Sequence, residues 1–331
     1  MKFRFLLLYL SAGVIAISIL GIVLPSRAIA SSPDDISITT TPENPAPNEN
    51  TTITLSSYTD DLDSVLITWS VGGKKMSSGI GQKSFSLNAP ALGKETTVIA
   101  TVALFDGDLN ETITIRPSIM TLLWEANDSY VPPFYEGKAM PSADSEIKVV
   151  ALPEIKSGSS LVDPTNMTYD WQLDETADEN NSGYGKNYFT YTGDYLDDSD
   201  NVSVTATTLD QKYSTTGAVD VATVTPKIEF YKKDANLGTI WEQALSDGYD
   251  VTSSQTLQAA PYFISPQNLQ IPFLTFTWAV NDQEVNVPTY SKNLLPLILQ
   301  SGTSGSSKIE LDISNTHDLN QTASKVINVQ Y

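Results

Sequence analysis

His317 is the only histidine in the chain, and it stands in "SNTHDL", a segment that reads as a turn. A hydrolytic triad there would need a nucleophile and a carboxylate brought in from elsewhere, and no G-x-S-x-G-like phrase supplies the nucleophile. The chain has no cysteine, which excludes thiol nucleophiles, thiolate zinc sites and disulfides. Paired carboxylates can hydrolyse glycosides, and Asp and Glu total 39. They gather in turn-rich stretches, however, and none stands in an apolar strand setting that would raise its pKa. The chain therefore reads as a non-enzyme without a cofactor, with a hydrolase using loop carboxylates as the weakest alternative.

Two acidic clusters have the composition of a calcium loop. The first is Asp194, Asp197, Asp198 and Asp200 in "GDYLDDSDN"; the second is Asp60, Asp61 and Asp63 in "TDDLDS". Calcium takes six to eight oxygen ligands, which closely spaced carboxylates can supply in part, but neither cluster has EF-hand spacing. The competing reading is a solubilising loop that discourages edge-to-edge pairing.

Aromatic residues provide the other binding chemistry. "WEANDSYVPPFYEGK" carries Trp124, Tyr130, Phe134 and Tyr135. Exposed, these rings would form a stacking platform for sugars or a contact patch for a protein. Buried, they would wedge the first repeat against the second. A counterpart with Tyr231 and Trp241 at the next junction favours the wedge. "GYGKNYFTYTGDY" (183–195) is the second candidate contact surface, with Tyr184 and Tyr188 at its glycine-rich start and part of it a strand.

What must position these residues is set by a phrase used three times. "VLITWSVGG", "MTYDWQLDE" and "LTFTWAVND" place Trp69, Trp171 and Trp278 among apolar residues at every second position. Strand geometry sends alternate side chains to opposite faces, so each indole points into a core while Thr68, Asp170 and Thr277 face water. The tryptophans lie roughly 100 residues apart, the length of one small β-domain. A long alternating strand follows each at near-constant distance, with Val98, Ala100 and Val102, then Val202, Val204 and Ala206, then Ile309, Leu311 and Ile313. A turn and a closing strand complete each repeat: "ETITIRP", "AVDVATVTP" and "SKVINVQY". The pattern predicts an all-β protein of three tandem immunoglobulin-like sandwiches, with domains at 36–116, 117–225 and 226–331. Pro117 and Pro226 leave almost no linker, so neighbouring domains abut. The second and third repeats share an aromatic excursion between their first two strands; the first opens instead with the Pro-rich "TTTPENPAPNENTTITL" (39–55).

A leader precedes them. Residues 1–30 combine Lys2 and Arg4 with an uncharged, mostly apolar run to Leu24, then Pro25 and the small-x-small Ala28-Ile29-Ala30. This is either a secretory signal cleaved after Ala30 or an uncleaved membrane anchor. Either way the remainder is exported by the Sec route to the cell surface or beyond, touching membrane only through this segment. The net charge of −20 repels nucleic acid, and 40% hydrophobic residues suffice for packed cores.

The residues Ser57, Tyr58, Leu62, Ile67, Trp69, Gly79, Gly81 and Phe85, followed by Trp124, Glu125, Tyr130, Pro132, Pro133, Phe134 and Tyr135, resemble those of an uncharacterised family of exported bacterial proteins with tandem Ig-like or PKD-like repeats. The resemblance spans most of the chain after the leader. It implies the fold and the export route and supplies no catalytic residues; the expanded, acidic "DETADENNSGYGKNYFTYTGDYLDD" departs from it. The expected role is a non-enzymatic adhesion, presentation or structural module, with a protein or cell-surface glycan as partner. The alternative is a carbohydrate-binding protein using the aromatic loops.

Overall fold

The structure, a computed structural model, describes residues 36–300 and 302–331. The expected leader lies outside the described residues. Among these, no helix is long and apolar enough to cross a membrane.

The first unit has seven strands: β1 (Ile36–Thr41), β2 (Asn50–Ser57), β3 (Leu66–Val71), β4 (Lys74–Ile80), β5 (Ser84–Asn88), β6 (Thr96–Leu104) and β7 (Gly107–Ile115). They form two antiparallel sheets, β1-β2-β5 and β4-β3-β6-β7. The second unit adds β8 (Ile119–Ala126), β9 (Glu146–Glu154), the small hairpin β10 (Lys156–Ser157) and β11 (Ser160–Leu161), β12 (Met167–Leu173), the short β13 (Thr176–Ala177) and β14 (Gly183–Tyr184), β15 (Tyr188–Thr192), β16 (Ser199–Thr208) and β17 (Ser214–Ala222). Its sheets, β8-β9-β15 and β13-β12-β16-β17 with β14 also on β12, repeat the first unit's order. The third unit contains β18 (Lys227–Asp234), β19 (Gly238–Ala244), β20 (Tyr249–Asp250), β21 (Gln255–Tyr262), β22 (Leu274–Val280), β23 (Gln283–Val285), β24 (Leu294–Leu297), β25 (Ser306–Asn315) and β26 (Thr322–Gln330). Here the sheets are β19-β18-β21-β24 and β20-β26-β25-β22-β23. The shared aromatic excursion becomes extra strands in this unit: β19 on the edge of β18 and β20 lying parallel to β26.

Each sheet pair closes over its own hydrophobic cluster, which makes the fold all-β with tandem immunoglobulin-like sandwiches. Trp69, Trp171 and Trp278 are fully buried at the three centres. Each sits on the strand paired with the long alternating one: Trp69 opposite Ala100, Trp171 opposite Val204, Trp278 opposite Leu311. One further device recurs. The indole N–H donates to a backbone carbonyl in the connection that leads to the other sheet: Gln82 at 2.8 Å, Lys186 at 2.9 Å and Lys292 at 2.8 Å. A buried N–H without a partner would cost about 1–3 kcal/mol, so this bond lets a residue with a polar atom occupy the middle of a core. Three residues after that carbonyl, Phe85 and Phe189 stack on their tryptophans at 5.6 and 5.4 Å. The third unit has Leu295 at this point, and Phe230 from β18 supplies the stacked ring at 5.5 Å.

The closing strands β7, β17 and β26 begin earlier than their apolar alternation suggests. Backbone pairing continues through polar residues such as Asp108 opposite Ala103 and Thr216 opposite Thr205, whose exposed side chains need no core.

Candidate functional site

The aromatic excursion docks at a different junction from the one expected. Residues 127–145 leave the end of β8 and meet the third unit, not the first. Tyr130 and Ile264 form an antiparallel bridge, with Tyr130 N–H donating to Ile264 C=O and Phe263 N–H to Tyr130 C=O, both at 2.8 Å. Tyr135 packs edge-on against Tyr262 and Phe263 at 5.6 and 5.9 Å, and the Tyr231 hydroxyl, beside Trp241, lies 2.6 Å from that of Tyr262. The two aromatic segments expected at successive junctions thus meet at one. The reason lies in topology: the β8–β9 connection is at the end of the second unit where the chain leaves for the third.

A polar network seals this contact. Gln321, wholly buried, accepts from Ser265 N–H at 2.7 Å and donates to Ala143 C=O at 2.7 Å. Asn315 donates to Ser265 C=O at 2.9 Å, Gln267 to Asn127 C=O at 2.9 Å, and Asn320 to the Asp144 carboxylate at 3.1 Å. Burial raises the Asp128 carboxyl above its ordinary value, against the backbone bond from Glu146 that lowers it.

The remaining expected contact residues do not converge. Trp124 faces the core side of its sheet and carries the Lys138 ammonium over its ring at 3.4 Å. Tyr188, opposite Val150, is on the outer face near Lys148. Tyr184 is exposed, its hydroxyl bonded to Asn166 at 2.9 Å. Phe134, with a left-handed backbone at φ 65°, turns its ring to solvent at 87% exposure. No single sugar-stacking face is assembled from these six residues.

His317 lies in the β25–β26 turn, which Asn315 organises by accepting from the His317 and Asp318 amides at 2.9 and 3.1 Å. Its Nδ1 is 2.8 Å from the Asp318 carboxylate, and its ring is exposed beside Phe273. Lys292 is the one buried lysine among the described residues. Its ammonium donates to the Ile271 and Leu274 carbonyls, and burial pulls its pKa down.

Among the acidic clusters, Asp61 and Asp63 build a turn held by the Lys83–Asp63 ion pair at 2.9 Å. Asp194 accepts from Leu196 N–H at 2.9 Å, and Asp197 and Asp198 are exposed. Among the described residues no group of three or more acidic or histidine side chains is arranged to hold a metal ion. Asp200 corrects the expectation that no carboxylate occupies an apolar strand setting. It belongs to β16, at the parity of Val202, Val204 and Ala206, and is 5% exposed. Its Oδ2 and the Tyr191 hydroxyl are both buried, and neither makes a hydrogen bond of normal geometry. Burial raises its pKa, the charges of Asp174, Asp197 and Asp194 add to the rise, and Tyr191 opposes it.

The sign of the effect follows. A carboxyl that titrates higher when folded binds more protons folded than unfolded, so stability falls as pH rises from the unfolded value through the folded one. Asp200→Asn is therefore expected to raise the melting temperature at pH 7 by a few degrees and to leave it unchanged near pH 4. Calorimetry at the two pH values, with calcium and with chelator, checks this. A variant that melts lower than the parent at pH 7 only when calcium is present would instead mark a cation on Asp200.

No family model matches the sequence, and no curated protein does. Solved structures similar to the chain include the fibronectin(III)-like modules of Clostridium thermocellum CbhA, at 15% identity and a TM-score of 0.26 over 56% of this chain and 94% of that one. The three N-terminal domains of the bacteriophage RB49 Highly Immunogenic Outer Capsid protein match at 9% and 0.24 over 89% and 97%. The central fibronectin-III array of RIM-binding protein matches at 10% and 0.32 over 86% and 92%. At these TM-scores the likeness adds nothing to the strand order, on which the fold assignment rests.

Proposed function

We propose that the chain is a non-enzymatic exported surface protein, an adhesion, presentation or structural module in which domains 36–116, 117–225 and 226–331 stand end to end. The observation that carries this reading is that both junctions join the same two ends and are tied by hydrogen bonds. Between the first two units, Ser214 donates to the Asn44 side chain at 2.7 Å, Asn44 donates to Thr216 at 3.1 Å and Ser118 N–H to Pro45 C=O at 3.3 Å. Arg116 lies over the Tyr213 ring at 5.4 Å. Chain geometry devoted to fixing successive sandwiches suits a spacer that holds a contact surface away from its attachment point. The residues with catalytic chemistry have structural work: His317 and Asp318 in a turn, Lys292 under a core. The leader composition supports export, and of the candidate rings Phe134, Tyr184 and Tyr188 are exposed to a protein or glycan partner.

Small-angle X-ray scattering tests the extended arrangement. Three sandwiches in line, each about 30–40 Å long from strands of eight to ten residues and their end loops, give a radius of gyration of about 26–35 Å. A compact body of this chain length gives about 20 Å. A value near the compact one would defeat the spacer reading. Binding to a glycan array that is lost in Phe134→Ala or Tyr184→Ala would move the assignment to carbohydrate recognition.

A further inference from the structure

β15 is an edge strand of the β8-β9-β15 sheet, in the middle of the chain. Its register with β9 fixes which of its backbone groups face outward. Asn187 C=O accepts from Ala151 N–H at 2.9 Å, and Gly193 N–H donates to Ser145 C=O at 3.1 Å. Both pairs continue the register that sets Phe189 opposite Val149 and Tyr191 opposite Ile147. Bonded and non-bonded pairs alternate along an antiparallel ladder. Phe189 and Tyr191 therefore bond β9, and the N–H and C=O groups of Tyr188, Thr190 and Thr192 point away from it. Among the described residues no other group bonds them.

Edge strands are ordinarily blunted by lysine, proline or a bulge. β4 has Lys74, Lys75 and a register shift, and β24 has Pro296 in a strand of four residues. β15 has none of these. It reads Tyr-Phe-Thr-Tyr-Thr, strong strand formers without a charge. On its outer face Tyr188 continues a row through Val150 to Leu123, and Tyr188 and Leu123 are both exposed.

We propose that β15 pairs with β15 of a second copy, antiparallel about a two-fold axis at Thr190. One register uses every outward group. It sets Thr190 opposite Thr190, and Tyr188 opposite Thr192 on each side of the axis, all as bonded pairs. Two three-stranded sheets then become one continuous sheet. The same register sets Lys186 opposite Asp194 at both ends, because the two lie four residues either side of Thr190. Opposite charges facing each other across strands favour pairing, here against the general repulsion of two chains of net charge −20. Lys186 gives one donor to Asn180 C=O and keeps others, and Asp194 uses only Oδ1 in its bond from Leu196 N–H. The contact is isologous, so it closes as a dimer. It lies on the flank of the second unit and does not rest on the end-to-end reading above.

Charge exchange in the full chain tests the register. Lys186→Asp alone sets carboxylate opposite carboxylate, and Asp194→Lys alone sets ammonium opposite ammonium. Each variant is expected to self-associate about tenfold more weakly than the parent in sedimentation equilibrium. Mixed, the two chains face opposite charges at both ends, and the mixed dimer should recover the parent's affinity. Thr190→Pro removes an outward N–H and no bond to β9, a place where an edge strand tolerates proline. It should keep the parent's melting temperature within a few degrees and abolish association. In the parent, the Tyr188, Thr190 and Thr192 amides should gain exchange protection as concentration rises, while those of Phe189 and Tyr191 are protected throughout. A parent that stays monomeric up to about 1 mM, a mixture no stronger than either variant alone, or undiminished association of Thr190→Pro would each overturn the proposal.

Discussion

Trp278→Ala is expected to destabilise the third unit by about 3–5 kcal/mol, the cost of emptying a fully buried aromatic site. The indole is wholly inaccessible, stacks on Phe230 at 5.5 Å and donates to Lys292 C=O at 2.8 Å. A domain of this size is stable by only about 5–15 kcal/mol, so the loss removes a large share of the unit's stability. Trp69→Ala and Trp171→Ala should act in the same way on their own units, because the three clusters are separate. Hydrogen exchange can locate the damage: protection should fall across β22, β25 and β26 in Trp278→Ala and persist in β3, β6 and β7. Trp278→Phe keeps a ring against Phe230 but leaves the Lys292 carbonyl unpaired, and is expected to cost about 1–3 kcal/mol. Uniform loss of protection along the whole chain would mean that the cores do not stand on separate hubs.

The hubs were legible in the sequence because a half-buried strand writes its orientation at period two. Ile67 and Trp69, Tyr169 and Trp171, and Leu274 and Trp278 hold the inward parity that their alternation assigns. The long partner strands were legible for the same reason. The contact made by Tyr130 was not, since a backbone bridge to Ile264 leaves no mark on side-chain pattern. The excursion between β8 and β9 is rich in aromatic, proline and glycine residues, and its composition shows that it packs without showing against which neighbour. Asp200 was legible in principle: it has the parity of Val202 and Val204. Its position at the strand's start, after an acidic turn, made it look like part of the turn. The stacked rings Phe85 and Phe189 share an offset from the carbonyl that receives the indole N–H, a signal visible once the three repeats are aligned on that bond and not on tryptophan alone.

Gln321 governs the second large effect, at the contact between the second and third units. Its side chain is fully buried and bonds with both ends: Oε1 accepts from Ser265 N–H within the third unit, and Nε2 donates to Ala143 C=O of the second, each at 2.7 Å. Gln321→Ala leaves a buried donor and an acceptor without partners. At about 1–3 kcal/mol for each of the two orphaned groups, the expected loss is roughly 2–6 kcal/mol. The loss should appear at the junction before it appears in either core. The Tyr130 and Phe263 amides, bonded across the junction at 2.8 Å, are therefore expected to exchange faster in the variant, while the amides of β12 and β25 keep their protection. Gln321→Glu separates hydrogen bonding from shape. It retains an acceptor for Ser265, loses the donor to Ala143 and brings a negative charge into a buried site, so its melting temperature should rise as pH falls and the new carboxyl takes up a proton. If both variants leave the two junction amides as protected as in the parent, the rigidity of this contact resides in the aromatic packing of Tyr135 on Tyr262 and Phe263, and the polar network is only its seal.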